Sequence, residues 1–327
     1  MKKKIWIAFI LGLSSISGFG QIAPTGIRDT SFSVQSAYRN DKKYFPGLTL
    51  ADSSMPEGVK VFENIIYKKQ ASENLALDVY TPAVKAKNPV SAVLMVHGGG
   101  WRSGDRSHNN TLARQLAAKG FIAVTVSYSL STHALYPQAV YDLKTAVRWM
   151  RANAKKFNID PSKIAILGFS AGGQLAALVG TTNGNKIFEK ADEFKGLSSR
   201  VQAVIDIDGT LAFIHPESGE GNDSKSISAG TYWFGYSKSE KPELWQQASP
   251  LNYAGKNTPP VLFINSSVSR MHAGRDDMIT KMNASGIYSQ VQSFPEAPHC
   301  FMFYTPWFAP TLGYISDFLD RVFDTKQ

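Results

Sequence analysis

Gly168-Phe169-Ser170-Ala171-Gly172-Gly173 follows directly on the apolar run Lys163-Ile164-Ala165-Ile166-Leu167. A Gly-x-Ser-x-Gly pattern between a strand and a helix holds its serine in a sharp turn and lifts Oγ clear of the sheet, where a base and a substrate can reach it. Glycines at 168 and 172 let the backbone close around that serine without Cβ clashes. The chemistry implied is attack on an acyl carbon. It needs a base, an acid to orient the base, and N–H donors for the oxyanion. The donors are expected from His97-Gly98-Gly99-Gly100-Trp101, a glycine loop that follows a second apolar run, Val90–Val96. The N–H groups of Gly99, Gly100 and Ala171 are the expected oxyanion hole, with that of Trp101 as a substitute for one of them. His97 reads as the residue that orients the loop.

The chain has six histidines. His299 stands in the proline-stiffened loop Phe294-Pro295-Glu296-Ala297-Pro298-His299, beyond the last expected strand, and is the expected base. His272 is the runner-up. His215 reads as a loop histidine or a substrate contact. The acid is expected after the strand Val261–Asn265, where Asp276 and Asp277 open a helix. Asp276 is the choice and Asp277 its capping neighbour. Asp208, after the strand Val201–Ile207, is the alternative outside that segment. The one cysteine, Cys300, reads as a small buried apolar residue. No Cys-x-x-Cys or His-x-x-x-His pair occurs, so no metal is expected, and no cofactor either.

These residues must be held by a scaffold. Strands are expected at Val61–Tyr67, Leu75–Tyr80, Val90–Val96, Phe121–Ser127, Lys163–Leu167, Val201–Ile207, Val261–Asn265 and Ile287–Phe294, with Val93–Val96 and Val261–Ile264 as continuous apolar runs. Helical spacing or capping predicts helices over 137–156, Thr111–Lys119, Ala171–Val179, Asp277–Ala284 and Pro310–Phe323. Such alternation gives an α/β fold with a mostly parallel sheet and helices on both faces. Residues 208–258 break the rhythm and read as an insertion over the catalytic edge. Its Phe213, Tyr232, Trp233, Phe234, Tyr236 and Trp245 either wall the substrate site or pack against the core, and their clustering favours the wall.

The 327 residues are 43% hydrophobic, enough for one large domain. We expect a signal peptide over 1–20, an irregular arm over 21–58, and the catalytic domain over 59–327. Lys2–Lys4, the short apolar run Ile5–Leu13 and the small residues Ser17-Gly18-Phe19-Gly20 predict export with cleavage near Gly20/Gln21, and no stable membrane insertion. Export of a chain with a single cysteine suits a bacterial periplasm or exterior. Net charge is +9, of which the three leader lysines supply three. No Lys/Arg stripe interleaved with aromatics supports nucleic-acid binding.

The glycine loop at 97–101, the serine turn at 168–173 and a C-terminal Asp and His together resemble the hormone-sensitive-lipase and carbohydrate-esterase branch of the α/β-hydrolases. Gly104-Asp105, Ser127-Tyr128, Tyr136-Pro137, Asp142 and Ala248-Ser249-Pro250-Leu251 extend the resemblance over roughly residues 60–320. The order Ser170, Asp276, His299 agrees with that fold. Asp206-Ile207-Asp208-Gly209 and His215-Pro216-Glu217-Ser218 are similar to pectin-acetylesterase-like members. The resemblance implies a serine esterase acting on acetyl groups of pectin or xylan, with acetylated poly- or oligosaccharide as partner. Feruloyl or general short-chain esterases and serine peptidases of the same fold are the alternatives. Glu217 and Glu220 are candidates for a peptidase's amine pocket.

Overall fold

The computed structural model describes residues 20–323 except 72, 191 and 192. The expected leader thus lies, apart from Gly20, outside the described residues. In chain order the elements are α1 (Val34–Asp41), β1 (Thr49–Leu50), β2 (Val59–Lys68), β3 (Leu75–Pro82), β4 (Val90–Val96), α2 (Asn110–Ala118) and β5 (Ile122–Val126). There follow α3 (Gln138–Ala152), α4 (Ala154–Phe157), β6 (Ile159–Phe169), α5 (Ala171–Thr181), β7 (Ala203–Ile207), α6 (Ala229–Phe234) and α7 (Pro242–Gln247). The last are β8 (Val261–Asn265), α8 (Arg275–Ala284), β9 (Ser289–Ser293), β10 (Tyr304–Thr305) and α9 (Phe308–Phe323).

The expected strands all enter one eight-stranded sheet in the order β2-β3-β5-β4-β6-β7-β8-β9. β2, β3 and β5 pair antiparallel, and every pairing from β5–β4 to β8–β9 is parallel. Strands β5, β7 and β8 are buried throughout, which is why they read as continuous apolar runs. Alternate side chains divide between two cores. Ala92, Leu94 and Val96 of β4 meet Val140, Leu143 and Val147 of α3 and Leu175 of α5. Val93 and Met95 face the other way, toward Leu112 and Leu116 of α2 and Phe318 and Leu319 of α9. Each such fully buried Leu, Val or Phe contributes about 1.5–3 kcal/mol relative to exposure. Helices on both faces leave the carboxyl ends of the strands as the accessible rim, and the reactive loops lie there.

Two expectations are revised. The arm is not wholly irregular: Ser33 opens α1 with a reciprocal capping box to Ser36, and β1 pairs with β10. The segment is anchored by buried Ala37 and Leu48 and by a 2.9 Å hydrogen bond from Tyr304 Oη to Asp41. Four of the insertion's six aromatics are packing, not a substrate wall. Phe213, Trp233, Phe234 and Trp245 are fully buried and meet one another, and Trp233 stacks on Trp101 with centroids 4.9 Å apart.

Candidate active site

Ser170 sits where β6 turns into α5, with φ 57° and ψ −123°, a conformation that costs a non-glycine residue about 1–3 kcal/mol. The neighbouring glycines are obligatory there. A Cβ on Gly168 would lie 1.9 Å from the Gly172 carbonyl oxygen, and one on Gly172 would lie 2.3 Å from that of Val96. The Ser170 N–H donates to the Ile207 carbonyl at 2.8 Å, tying the serine turn to the end of β7.

His299, in the loop after β9, places Nε2 2.9 Å from Ser170 Oγ, and its ring packs on Phe169 with centroids 4.9 Å apart. Its Nδ1 lies 2.9 Å from Oδ2 of Asp208. The carboxylate that reaches the imidazole is therefore Asp208 and not Asp276, a correction of the expected acid. The side chain of Asp276 is 77% exposed and bound to Arg275, and that of Asp277 is 66% exposed beside His215. Both stand in the first turn of α8, whose start, at Gly274, has no capping side chain, so their charges serve the helix terminus. Arg275 holds the Asp276 carboxyl below the usual carboxylate range.

Asp208 directly follows β7 and is fully buried. Burial pushes its carboxyl upward, but the nearby His272 imidazole, the hydrogen bonds to His299 and Ser266 and the charge of His299 outweigh burial and hold it at about 2. It is therefore ionised at neutral pH. The signal that finds it is positional: an acid one residue beyond a wholly buried strand that neighbours the serine strand, with Ile207 paired to Phe169.

The glycine loop turns through three consecutive left-handed residues, Gly99, Gly100 and Trp101, with φ of 119°, 60° and 56°. A Cβ at Gly99 would strike the Ser103 carbonyl oxygen at 2.1 Å. The N–H groups of Gly99, Gly100 and Trp101 and that of Ala171 donate to no protein acceptor among the described residues. All four residues line a cleft of about 340 Å³ with Ser170 and His299. His97 lies beneath the loop, stacked on Tyr128 at 4.5 Å and 2% exposed. Burial pushes its pKa down to about 4, so it is a neutral support and not a second base. A cavity of similar size, about 350 Å³, lies between α1, α2 and α9 and contains none of these groups.

The arm supplies cleft residues that sequence reasoning missed. Asp29, Ser31 and Phe32 form part of the lining. Arg102 donates to Asp29 at 2.9 Å, Arg28 to Asp105 at 2.6 Å, and the Phe32 N–H to Ser103 Oγ at 2.9 Å. On another part of the lining, Arg270 donates to Glu220 at 2.9 Å. Arg102 also lies 4.1 Å from the ring centroid of Tyr232. His215 is outside the cleft, and Glu217 accepts the Gly274 N–H at 3.2 Å. Cys300 is buried beside the base, and burial pushes its thiol pKa up, away from nucleophilic use.

A largely parallel sheet with the nucleophile on the β6–α5 turn and the histidine beyond the last parallel strand defines an α/β-hydrolase. Within that class the chain belongs to the BD-FAE family, which it matches over residues 77–283. It is 32% identical over 197 residues to Esterase LipC of Mycobacterium tuberculosis, a match covering 58% of this chain and 47% of that protein. It spans about half the length of the curated relatives it matches. Among solved structures it is similar to a truncated carbohydrate esterase from gut microbiota, with TM-score 0.68 and 22% identity over 83% of this chain and 99% of that one. It is also similar to a bifunctional GH43-CE protein of Bacteroides eggerthii, with TM-score 0.68 and 25% identity over 80% of this chain and 38% of that one.

Proposed function

We propose that the protein is an exported serine carboxylester hydrolase that removes acetyl groups from a plant cell-wall polysaccharide, pectin or xylan. The observation that carries the ester chemistry is the continuous line Ser170 Oγ, His299, Asp208, with both hydrogen-bond distances at 2.9 Å, beside unengaged N–H groups. Ser170 Oγ attacks the acyl carbon while His299 Nε2 takes its proton. Asp208 stabilises the imidazolium and fixes its tautomer. The N–H groups of Gly99, Gly100 and Ala171 receive the oxyanion, with that of Trp101 available in place of one of them. Collapse breaks the bond to the sugar oxygen, which leaves with the proton from His299. Water, deprotonated by His299, then attacks the acyl-serine and releases acetate and free Ser170.

The carbohydrate part of the proposal is supported by the lining. The pairs Arg102–Asp29 and Arg270–Glu220 present donors and acceptors suited to sugar hydroxyls. The similarity to structures described as carbohydrate esterases points the same way. Export is supported by the charge and apolar pattern of residues 1–20. A peptidase reading has less support, because Glu217 is bound at the start of α8 and Glu220 is paired with Arg270.

The test is acetate release from acetylated pectin and acetylated xylan by wild type and Ser170→Ala, with ferulate release measured from feruloylated arabinoxylan. Acetate release lost in the variant supports the proposal. Activity confined to feruloyl or small aryl esters replaces the substrate, and peptide cleavage replaces the reaction. Mass spectrometry of the exported protein should give a chain starting near Gln21. An uncleaved chain retained in the cytoplasm would overturn export.

A further inference from the structure

The loop after β8 brings a second imidazole to the carboxylate that His299 uses. His272 Nε2 stands 3.4 Å from Asp208 Oδ1. That nitrogen is buried and makes no hydrogen bond among the described residues. A buried carboxylate oxygen has room for two donors. Oδ1 already accepts the Ser266 N–H at 2.8 Å, while Oδ2 is directed to His299 Nδ1. One acceptor direction on Oδ1 remains, and His272 is the side chain that faces it.

We propose that His272 is a positioning residue for the ester hydrolysis above: its Nε2–H donates to Asp208 Oδ1, stops rotation of the carboxylate and withdraws part of its charge from His299. The inference rests on the serine-esterase reading. The present separation is long for a hydrogen bond. Contacts of this kind tighten as charge develops in the reacting complex.

The other groups around the pair are already committed. Asp206, two residues before Asp208, is fully buried, and burial together with the neighbouring Asp208 charge raises its pKa well above the usual range. It accepts the Gly209 N–H at 2.9 Å. Arg275 donates to Asn265 and to Asp276, each at 2.8 Å. The Cys300 thiol stays protonated, its pKa raised by burial. His299 itself meets only Ser170, Asp208 and the Phe169 ring in the contacts described.

Loss of the His272 donor leaves more negative charge facing His299. The imidazole then holds its proton to higher pH, and the acidic limb of the kcat/KM profile moves upward. A carboxylate free to turn also orients the base less well, and kcat falls.

The experiment is the pH profile of p-nitrophenyl acetate hydrolysis by wild type, His272→Phe and His272→Gln, with Ser170→Ala alongside. For His272→Phe we expect kcat lower by about tenfold, KM within about twofold, and the limb raised by about half a pH unit. His272→Gln, whose amide can donate to the same oxygen, should restore the limb and most of kcat. An unchanged kcat and limb in His272→Phe overturns the inference, and so does a change confined to KM, which would make His272 a substrate contact. If His272→Phe does not fold, the ¹⁵N spectrum of histidine-labelled wild type decides. Protonated Nε2, with a resonance that moves in Asp208→Asn, supports the role; unprotonated Nε2 in the neutral ring overturns it. That readout requires no ester turnover. Undiminished activity in Ser170→Ala would separately overturn the parent reading.

Discussion

Oδ2 of Asp208 lies 2.9 Å from Nδ1 of His299, although the two residues are 91 positions apart in the chain. The parallel sheet makes this contact. β7 and β9 flank β8, and their carboxyl ends open onto the same rim as the serine turn. The Ser170 N–H bond to Ile207 fixes the spacing between nucleophile and acid through backbone alone, before any side chain is placed.

Asp208→Asn should lower kcat on an activated acetate ester by about 10⁴-fold, since the imidazole then loses its tautomer and charge support. Asp276→Asn, on an exposed carboxylate already paired with Arg275, should stay within about twofold of wild type. Steady-state kinetics on the two variants checks both. A large loss in Asp276→Asn with none in Asp208→Asn would reverse the assignment.

His97 makes stability depend on pH. Its pKa falls from 6.5 to about 4 on folding because burial disfavours the charged ring. The unfolded chain therefore binds the extra proton first. Stability from this group is complete above pH 6.5 and is lost as pH falls toward about 4. The loss is of order 3 kcal/mol. Urea midpoints measured at both ends of that window should converge in His97→Asn. An equally steep dependence in the variant would sink the argument.

Gly168→Ala should destabilise by more than about 3 kcal/mol or prevent folding, because the new methyl would sit 1.9 Å from a backbone carbonyl oxygen that cannot rotate away. Gly286→Ala provides the contrast. Its Cβ would meet nothing within 4 Å, and only its φ of 67° opposes the change, at about 1–2 kcal/mol. Thermal unfolding of the pair separates steric collision from backbone strain.

Asp29→Ala should reduce kcat/KM by about three- to tenfold with little change in melting temperature, because Asp29 steadies Arg102 at the end of the oxyanion loop from outside the core. Unaltered kinetics would show that the arm is a passive cover.

Much of this arrangement is legible in the sequence. The inner strands are apolar for a physical reason: covered on both sides, β5, β7 and β8 bury every side chain and read as continuous runs, while the edge strands β2 and β9 are largely unburied and carry a weaker pattern. The serine turn and the glycine loop carry steric demands that only glycine meets. The acid is less legible. Strands β7 and β8 are neighbours about 4.8 Å apart, so a carboxylate at the end of either can approach one imidazole. Residue order along the chain does not choose between them, and the helix-opening position of Asp276 looks the same whether it serves catalysis or capping. The aromatic insertion is ambiguous for a similar reason, since Trp233 and Trp245 have the same composition signature whether they face a sugar or each other. Helix α1 depends on Ser33 and Ser36 and buries only Ala37, too little apolar periodicity to be seen in advance.

The insertion is closed at its base. The Leu211 N–H donates to the Ala273 carbonyl at 3.0 Å, and the Leu251 N–H donates to the Leu211 carbonyl at 3.0 Å. Entry and exit are thus stapled together just beyond Asp208, so the excursion between them is mechanically a cassette mounted on a fixed socket. Residues between Ala212 and Pro250 can then be exchanged with those of a relative while the acid stays seated, provided the graft refills the space held by Phe213, Trp233 and Trp245. The acid's seat is thus separable from the insertion's outer residues, whereas the Trp233–Trp101 stack ties the core of the insertion to the oxyanion loop.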